Sequence, residues 1–267
     1  MNTLTKIVSA KKSLVAEQKE LYPIKLLEKS IYYETPSVSL KQYLLRKDKS
    51  GIIAEIKKRS PSKGIINNYC DVQKTSIGYM QAGASAISVL TDQTFFGGSN
   101  ADLTIARKHN FCPILRKDFI IDEYQIIEAK SIGADAILLI AAILTSKEIK
   151  QFTKLAHQLG MEVLLEIHSI EEADKICEYN TIIGVNNRDL GTLKIDLNNS
   201  YLLKPYISSA EVKVAESGIE DPDKIMELRS IGYNGFLIGS HFMKHSQPHL
   251  ACKLFIDQLN SKNVQHA

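Results

Sequence analysis

Short apolar runs alternate with helical patterns along this chain from residue 51 onward. Eight runs have the length of core strands, and each leads through a polar loop into a segment of helical periodicity. The predicted strands are 51–56, 86–91, 112–117, 135–140, 161–166, 181–186, 211–216 and 235–239. This alternation indicates a β–loop–α unit that repeats along the chain.

Capping residues mark the ends of the predicted helices. Four pairs have capping-box spacing, allowing Asp for Ser/Thr or Glu: Ser99 with Asp102, Asp122 with Gln125, Thr145 with Glu148, and Ser169 with Glu172. Asp221-Pro222 places a proline at a first helical position. Four glycines stand where helices should stop, namely Gly83, Gly133, Gly160 and Gly232. Helices are therefore expected between the strands.

The first 50 residues show helical spacing without a strand pattern. One loose apolar set precedes Pro23, a second begins at Ile24, and Ser39 with Gln42 forms a further capping pair. We therefore expect residues 1–50 to form a helical extension that covers one end of the fold.

Eight β–α alternations predict a (β/α)8 TIM barrel of the α/β class. We expect residues 1–267 to form a single domain, with 1–50 as the extension and 51–267 as the barrel. A doubly wound open sheet is the competing architecture, but no G-x-G-x-x-G follows any strand. The polar residues also arise from many strands rather than from one crevice.

Composition narrows the class of protein. The chain has 267 residues, 44% of them hydrophobic, and a net charge of +3, which is too mild to indicate nucleic-acid binding. No apolar run has the length of a membrane span, and the N-terminus lacks a signal peptide. Four scattered cysteines without a C-x-x-C pair indicate reduced thiols rather than a zinc site. We expect a cytoplasmic protein without membrane or nucleic-acid partners.

Charged and small polar residues recur at the carboxyl ends of the predicted strands, where barrel enzymes place their sites. Two lysines and three glutamates at one end of a barrel are difficult to explain as surface charge. The full set is Glu55, Lys57, Lys117, Glu166, Asn186, Arg188, Glu216, Ser217, Gly239 and Ser240.

These residue types favour acid–base chemistry on a small phosphorylated substrate. We expect partial burial and the cations Lys57 and Arg116 to lower the pKa of Lys117, while the glutamates oppose this change. Glutamates can serve as bases or hold a lysine in place. Glycines and serines after the last two strands suit a phosphate cradle. No signal for a cofactor or metal is visible.

Six motifs resemble the indole-3-glycerol-phosphate synthase family: Ile53-Ala-Glu-Ile-Lys-Lys-Arg-Ser-Pro-Ser62, Leu115-Arg-Lys-Asp-Phe119, Leu138-Leu-Ile-Ala-Ala-Ile-Leu144, Gly184-Val-Asn-Asn-Arg-Asp-Leu190, Ala215-Glu-Ser-Gly-Ile219 and Phe236-Leu-Ile-Gly-Ser240. The resemblance implies a carboxy-lyase of tryptophan biosynthesis. It would convert 1-(2-carboxyphenylamino)-1-deoxyribulose 5-phosphate to indole-3-glycerol phosphate with loss of CO2 and water. We expect no fused phosphoribosylanthranilate isomerase domain.

The resemblance also implies roles for individual residues. Lys117 should be the general acid, Lys57 should hold the substrate carboxylate, and Glu166 should assist proton transfer as water leaves. The residues expected to orient the lysines and substrate hydroxyls are Glu55 and Glu216, with Asn186 and Arg188 as further polar contacts. The phosphate end should comprise Ser60, Ser217, Gly218, Gly239 and Ser240. The aromatic slot should comprise Phe96 (or the adjacent Phe95), Phe119, Leu138, Ile140 and Leu190. The alternative for these residues is plain core packing. For Leu138 and Ile140 the two interpretations are about equally favoured.

The histidines invite a metal site, but the pattern favours a simpler interpretation. His241, His245 and His249 are spaced by four, yet Pro248 interrupts the helix and no acidic partner is close. We expect a solvated loop and helix start there, and surface positions for His109, His157 and His168.

Two other functions remain open from the residues. Another phosphate-binding barrel enzyme, such as an isomerase, would not need this lysine pair with three glutamates. A barrel that binds a phosphorylated metabolite without turnover would not need Lys117 or Glu166.

Overall fold

Eight parallel strands close into a barrel in the computed structural model, which describes residues 3–265. The barrel strands are β1 (Ile52–Ile56), β4 (Ala86–Leu90), β5 (Ile114–Lys117), β6 (Ala136–Ile140), β7 (Glu162–Ile167), β8 (Ile182–Asn186), β9 (Val212–Glu216) and β10 (Gly235–Ile238). They pair in chain order, and β10 closes the barrel on β1 with Ile52 opposite Phe236. The predicted barrel is confirmed, and each predicted strand agrees within two residues at each end.

Helices connect successive strands on the outside of the barrel. The helices are α1 (Thr3–Leu21), α2 (Ile24–Leu27), α3 (Leu40–Leu45), α4 (Val72–Gln81), α5 (Gln93–Phe96), α6 (Asn100–His109), α7 (Glu123–Ser131), α8 (Ser146–Gln158), α9 (Ile170–Ala173), α10 (Asn198–Leu203), α11 (Pro222–Ser230), α12 (Ser240–Met243) and α13 (Pro248–Gln265). Two 3-10 turns, Ala141–Ile143 and Lys204–Ile207, and a short antiparallel hairpin of β2 (Arg59–Ser60) with β3 (Gly64–Ile65) complete the fold.

The N-cap residue of each of the four predicted pairs accepts a backbone N–H, but the reciprocal capping box is found at one of the four. Thr145 and Glu148 form a complete capping box at α8. Asp122 caps α7 by accepting the N–H of Tyr124, whereas Gln125 turns back to accept the N–H of Ile121. The Asp122–Gln125 pair therefore caps α7 without forming the reciprocal box, because the amide satisfies a loop donor instead.

Strand alternation divides the core into two apolar layers. In β6, Ile137 and Leu139 face the helices, whereas Leu138 and Ile140 belong to the cluster inside the barrel. Successive side chains of a strand point to opposite faces, and both faces of a barrel strand are buried. The interior face of β6 therefore presents Leu138 and Ile140 to the carboxyl end of the barrel.

The N-terminal extension contacts both ends of the barrel, so the expectation that it covers one end was too narrow. Near the start of β7, Ser39 donates a hydrogen bond of 2.6 Å to Glu162. At the opposite end, α1 inserts Lys11 between Asp92 and Asp118, with Nζ 2.8 Å from a carboxylate oxygen of each. Helix α3 therefore packs under the barrel, and α1 lies across the mouth from which the polar residues project.

Candidate active site

A cavity of about 170 Å³ lies at the carboxyl ends of the strands. All seventeen residues predicted from the sequence to form the site line it, although they come from strand ends and loops throughout the chain. Between the two neighbouring phenylalanines, Phe96 lines the cavity and Phe95 is not among the lining residues of the described chain. The topology thus brings the polar strand ends and the apolar slot residues into one space.

Lys117 joins two glutamates from separate strands at the base of this cavity. Its Nζ donates to Glu166 Oε2 at 2.8 Å and to Glu216 Oε2 at 2.7 Å. Both carboxylates are almost completely buried, and the lysine side chain is 12% exposed. The three side chains come from the ends of β5, β7 and β9, so barrel closure alone brings them together.

The electrostatic environment of Lys117 differs from the expected one. Burial lowers the pKa of its ammonium, but the negative charges of Glu166, Glu216 and Glu55 outweigh burial and raise that pKa above its ordinary value. Arg116 does not act on Lys117 as expected, because its guanidinium pairs with Glu128 and Asp118 on the other face of the strand. The prediction of a lowered lysine pKa was therefore wrong, because the opposing effect of the glutamates prevails.

The two glutamates beside Lys117 have different cationic surroundings. Burial opposes ionisation of Glu166, but Lys117 and His168 together lower the pKa of this carboxyl well below its usual value. Glu216 has Lys117 as its cation; burial and the charge of Glu166 raise its pKa to about 8. Of the two carboxyls, Glu166 is therefore the stronger acid and Glu216 the weaker one.

His168 is not the surface residue expected from the sequence. Its side chain is 8% exposed and lies between the carboxylates of Glu166 and Glu172. A usable signal was present, since residues 166 and 168 are two positions apart at the end of one strand and share a face. The spacing of Ser169 and Glu172 predicted only the start of the helix that follows.

Glu55 and Lys57 form a second ion pair in the cavity, with Lys57 Nζ 2.5 Å from Glu55 Oε1. Glu55 is buried, whereas the ammonium of Lys57 remains accessible from the cavity at 17% exposure. Gly239 lies against this pair, because a Cβ at Gly239 would overlap Glu55 Oε1. This glycine therefore provides room for the Glu55 carboxylate as well as lying at the predicted phosphate end.

Asn186 and Arg188 shape the loop after β8. The Asn186 side chain accepts the N–H of Arg188 at 3.0 Å, and Arg188 Nη1 donates to the carbonyl of Leu193 at 2.8 Å. Leu193 has a φ of 60°, a left-handed conformation that is uncommon for leucine. Arg188 thus holds a strained loop whose residues Leu193 and Ile195, missed by the sequence analysis, also line the cavity.

A left-handed turn follows β9 at the predicted phosphate end. Ser217 and Gly218 have φ values of 67° and 80°. Asn187 fixes this turn by donating from its side chain to the carbonyls of Glu216 at 3.0 Å and Ser217 at 3.2 Å. Asn187 was not identified from the sequence, because its importance depends on the neighbouring strand.

The apolar slot is built around two phenylalanines. The ring centroids of Phe96 and Phe119 lie 5.8 Å apart in a tilted arrangement. Leu138 and Ile140 line the cavity and also belong to the barrel core, so the two interpretations weighed from the sequence both hold. Helix α1 adds Thr3, Leu4 and Ile7, which the loose helical spacing did not single out.

The three histidines near the C-terminus lie around α12 and the start of α13. His245 is exposed, and His241 and His249 are half-buried. Within residues 3–265 no cluster of three or more His, Cys, Asp or Glu side chains could hold a metal ion. The same part of the chain contains no helix of the length and apolarity that crossing a membrane requires.

Comparison with known proteins gives one consistent family. A family model described as "Indole-3-glycerol phosphate synthase" matches residues 4–255. A protein of that name from Bacteroides thetaiotaomicron is 48% identical over 245 residues, which cover 92% of this chain and 94% of that relative. Another from Carboxydothermus hydrogenoformans is 42% identical over 262 residues, covering 95% and 99% of the two chains.

Solved structures of lower identity share the fold. A chain of the tryptophan synthase a2b2 complex from Pyrococcus furiosus has a TM-score of 0.58 and 18% identity, covering 80% of this chain and 99% of that one. A mutant tryptophan synthase alpha-subunit from the same organism has a TM-score of 0.60 and 17% identity at the same coverage. At these identities the likeness concerns the barrel and its connectivity.

Proposed function

This chain belongs to the indole-3-glycerol phosphate synthase family, and we propose how its cavity carries out the family's reaction. The enzyme is a carboxy-lyase of tryptophan biosynthesis that cyclises, decarboxylates and dehydrates 1-(2-carboxyphenylamino)-1-deoxyribulose 5-phosphate to indole-3-glycerol phosphate. The observation that carries the mechanism is the position of Lys117 between Glu166 and Glu216 at the base of the cavity.

Lys117 acts as the general acid of ring closure. An aromatic ring carbon attacks the ketone carbon, and the ketone oxygen takes a proton from the Lys117 ammonium as negative charge develops. Loss of CO2 from the same ring carbon then restores aromaticity. The carboxylates around Lys117 raise its pKa, so the lysine enters the reaction as an ammonium.

Lys57 and Glu166 serve the steps on either side of ring closure. The accessible ammonium of Lys57 binds the substrate carboxylate until it leaves as CO2. In the dehydration, the former ketone oxygen takes a second proton, from solvent, and leaves as water, while Glu166, held ionised, accepts the proton lost from the nitrogen-bound methylene carbon. Transfer of that proton from Glu166 to Lys117 across their 2.8 Å contact restores the ammonium. Glu55 positions Lys57 through their short ion pair, Glu216 positions Lys117, and Asn186 and Arg188 contact the substrate's polar chain.

The two ends of the substrate occupy different surfaces of the cavity. The phosphate binds beside Ser60, Ser217, Gly218, Gly239 and Ser240, where backbone N–H groups and hydroxyls can converge on an anion. The anthranilate ring lies in the slot formed by Phe96, Phe119, Leu138, Ile140 and Leu190. Because the ring site is apolar and the phosphate site is polar, the substrate binds in one orientation.

We also propose a domain organisation and a cellular location for the enzyme. Residues 1–267 form one barrel domain with residues 1–50 as its extension, which is supported by the contacts of α1 and α3 with opposite ends of the barrel. The enzyme works in the cytoplasm, in keeping with four free thiols.

Indole formation provides a direct test. The chain contains no tryptophan, so the fluorescence of the indole product rises over a low protein background. Addition of the carboxyphenylamino substrate should produce this signal together with CO2. Consumption of the substrate without indole fluorescence would contradict the proposed reaction.

A further inference from the structure

His168 is a buried titratable group next to the cavity that the mechanism above does not use. Its Nε2 lies 3.2 Å from Glu166 Oε1, whereas Lys117 occupies the other oxygen of that carboxylate at 2.8 Å. Glu166 is therefore held between two potential cations, one on each oxygen. Nε2 is buried and makes no hydrogen bond with any of the described residues. Its contact with Glu166 is therefore an ion pair, defined by the 3.2 Å separation.

The far side of the His168 ring is fixed by Glu172. Glu172 Oε2 lies 3.2 Å from His168 Nδ1 and also accepts the His168 backbone N–H at 2.8 Å. Ser169 caps α9 through the Glu172 N–H, which ties this carboxylate to the helix start. One carboxylate therefore faces each ring nitrogen, an arrangement in which only the imidazolium can donate from both nitrogens.

The backbone of His168 is tied to the next strand of the site. Asn199 Nδ2 donates to the carbonyl of His168 at 3.2 Å and to the carbonyl of Asn186 at 2.9 Å. The end of β7 and the end of β8 therefore hold a fixed relation to each other. The ring of His168 is consequently fixed by its backbone as well as by its two carboxylate partners.

We propose that His168 is a positioning residue that acts as a permanent imidazolium, holding Glu166 ionised and in place beside Lys117. The inference rests on the role proposed above for Glu166 and names the group that maintains its charge. His168 itself does not contact the reacting atoms; it acts through Glu166. Glu172, in turn, keeps His168 protonated.

The charges around His168 support this assignment. Burial lowers the pKa of the imidazolium, but Glu166 and Glu172 outweigh burial and raise it to about 10. Asp189, on the loop after β8, also lies within the field of His168. His168 explains why the pKa of Glu166 is lowered, whereas that of Glu216, whose cation is Lys117, is raised.

The protonation state of His168 can be measured without turnover. In enzyme labelled with 15N-histidine, both ring nitrogens of His168 should carry protons from pH 6 to 8.5, and His168→Gln assigns the signals. Glu172→Gln keeps an acceptor at Nδ1 but removes its charge, so the titration midpoint of His168 should fall by about one to three pH units. A neutral His168 at pH 7.5 in the wild type would overturn the proposal.

Kinetics separate positioning from general structural support. In His168→Gln the pKa of Glu166 rises, so the acid limb of the kcat profile should move to higher pH and kcat should fall at least tenfold at neutral pH. KM should change little. His157→Gln, at an exposed position on α8, serves as the matched control. A lower kcat with an unmoved acid limb would reject the electrostatic role.

The two proposals fail in distinguishable ways. If the wild type does not form indole, the proposed function is wrong, whatever the charge of His168. If indole forms but His168 is neutral, the inference is wrong and the proposed function stands. If His168→Gln does not fold, the labelled wild type and Glu172→Gln still decide the charge of the ring.

Discussion

The carboxylate of Glu216 occupies the space that a side chain at Gly184 would need. A Cβ at Gly184 on β8 would overlap Glu216 Oε1 on the neighbouring strand β9, and it would also crowd Leu164 on β7 at 3.2 Å. Glu216 Oε1 has no hydrogen-bond partner among the described residues, so packing rather than bonding holds this end of the carboxylate. The missing side chain at Gly184 therefore sets the position of Glu216 beside Lys117.

Replacing Gly184 by alanine should impair catalysis more than folding. The methyl group pushes Glu216 away from Lys117, and a displacement of about 1 Å at a catalytic group can cost on the order of 100-fold in rate. We expect kcat to fall by about 10- to 100-fold, measured by indole fluorescence at saturating substrate.

Gly191→Ala is the matched control for this variant. Gly191 lies in the loop after the same strand, and a Cβ there would meet Asp189 Oδ1 at an ordinary 3.4 Å. Its kcat should remain close to that of the wild type. Equal losses in both variants would show that the effect comes from glycine replacement in general and not from Glu216.

Lys11 should contribute strongly to stability. Burial opposes ionisation of Asp118, but Lys11 and Arg116 outweigh burial and lower the pKa of its carboxyl. Lys11→Met removes the cation and leaves buried carboxylates at Asp92 and Asp118. Loss of one partner from a buried ion pair costs about 3–5 kcal/mol. We expect a loss of this size in urea unfolding at pH 7.

The same helix supplies a control and a pH test. Lys19 pairs with Asp122 at 2.7 Å on the surface, and Lys19→Met should cost about 0–1 kcal/mol. The lowered pKa of Asp118 means that its stabilising contribution is present above about pH 4 and is lost as pH falls. The difference between Lys11→Met and wild type should therefore shrink toward acidic pH. Equal costs for the two lysines would contradict the assignment.

Periodicity and caps were sufficient to predict the barrel, because each local signal agrees with the global fold. The strand ends then predicted ten of the seventeen expected site residues, and the family resemblance implied the other seven; all seventeen line the cavity. Properties that depend on neighbours across the barrel could not be predicted. The space beside Gly184 is filled from another strand, and the pKa of Lys117 depends on how many carboxylates converge on it. A list of the charged residues along the chain shows neither which side chain fills the space beside Gly184 nor how many carboxylates surround Lys117.

Glu216 should control the alkaline side of the pH profile. Burial raises the pKa of its carboxyl to about 8, the charge of Glu166 adds to this effect, and Lys117 opposes it. Glu216 is protonated below this pH and becomes an anion above it. Because the substrate carries a carboxylate and a phosphate, kcat/KM should decline as pH rises through about 8.

Glu216→Gln removes this ionisation while keeping the shape of the side chain. Its kcat/KM should be lower than that of the wild type and should lack the decline near pH 8. The folded carboxyl binds its proton more tightly than an unfolded one, whose pKa is about 4.3, so this group's contribution to stability decreases between about pH 4.3 and 8. A decline at the same pH in the glutamine variant would assign the titration to another group.

Lys117→Met should separate catalysis from binding. The variant keeps the length of the side chain and removes the proton donor of ring closure. We expect kcat to fall by about two to four orders of magnitude, the usual contribution of general acid–base catalysis. The Kd should change far less, because contacts to the phosphate and the ring remain. Single-turnover kinetics and equilibrium titration measure the two quantities separately.

Two comparison variants make the Lys117 result specific. Lys117→Arg keeps a positive charge between Glu166 and Glu216, but a guanidinium is a much weaker acid than an ammonium, so kcat should remain low in a well-folded protein. Lys57→Met, which removes the proposed carboxylate contact, should instead raise Kd more than Lys117→Met does. If Lys117→Met binds substrate weakly yet turns over at the wild-type rate when saturated, Lys117 is a binding residue and another group must protonate the ketone oxygen.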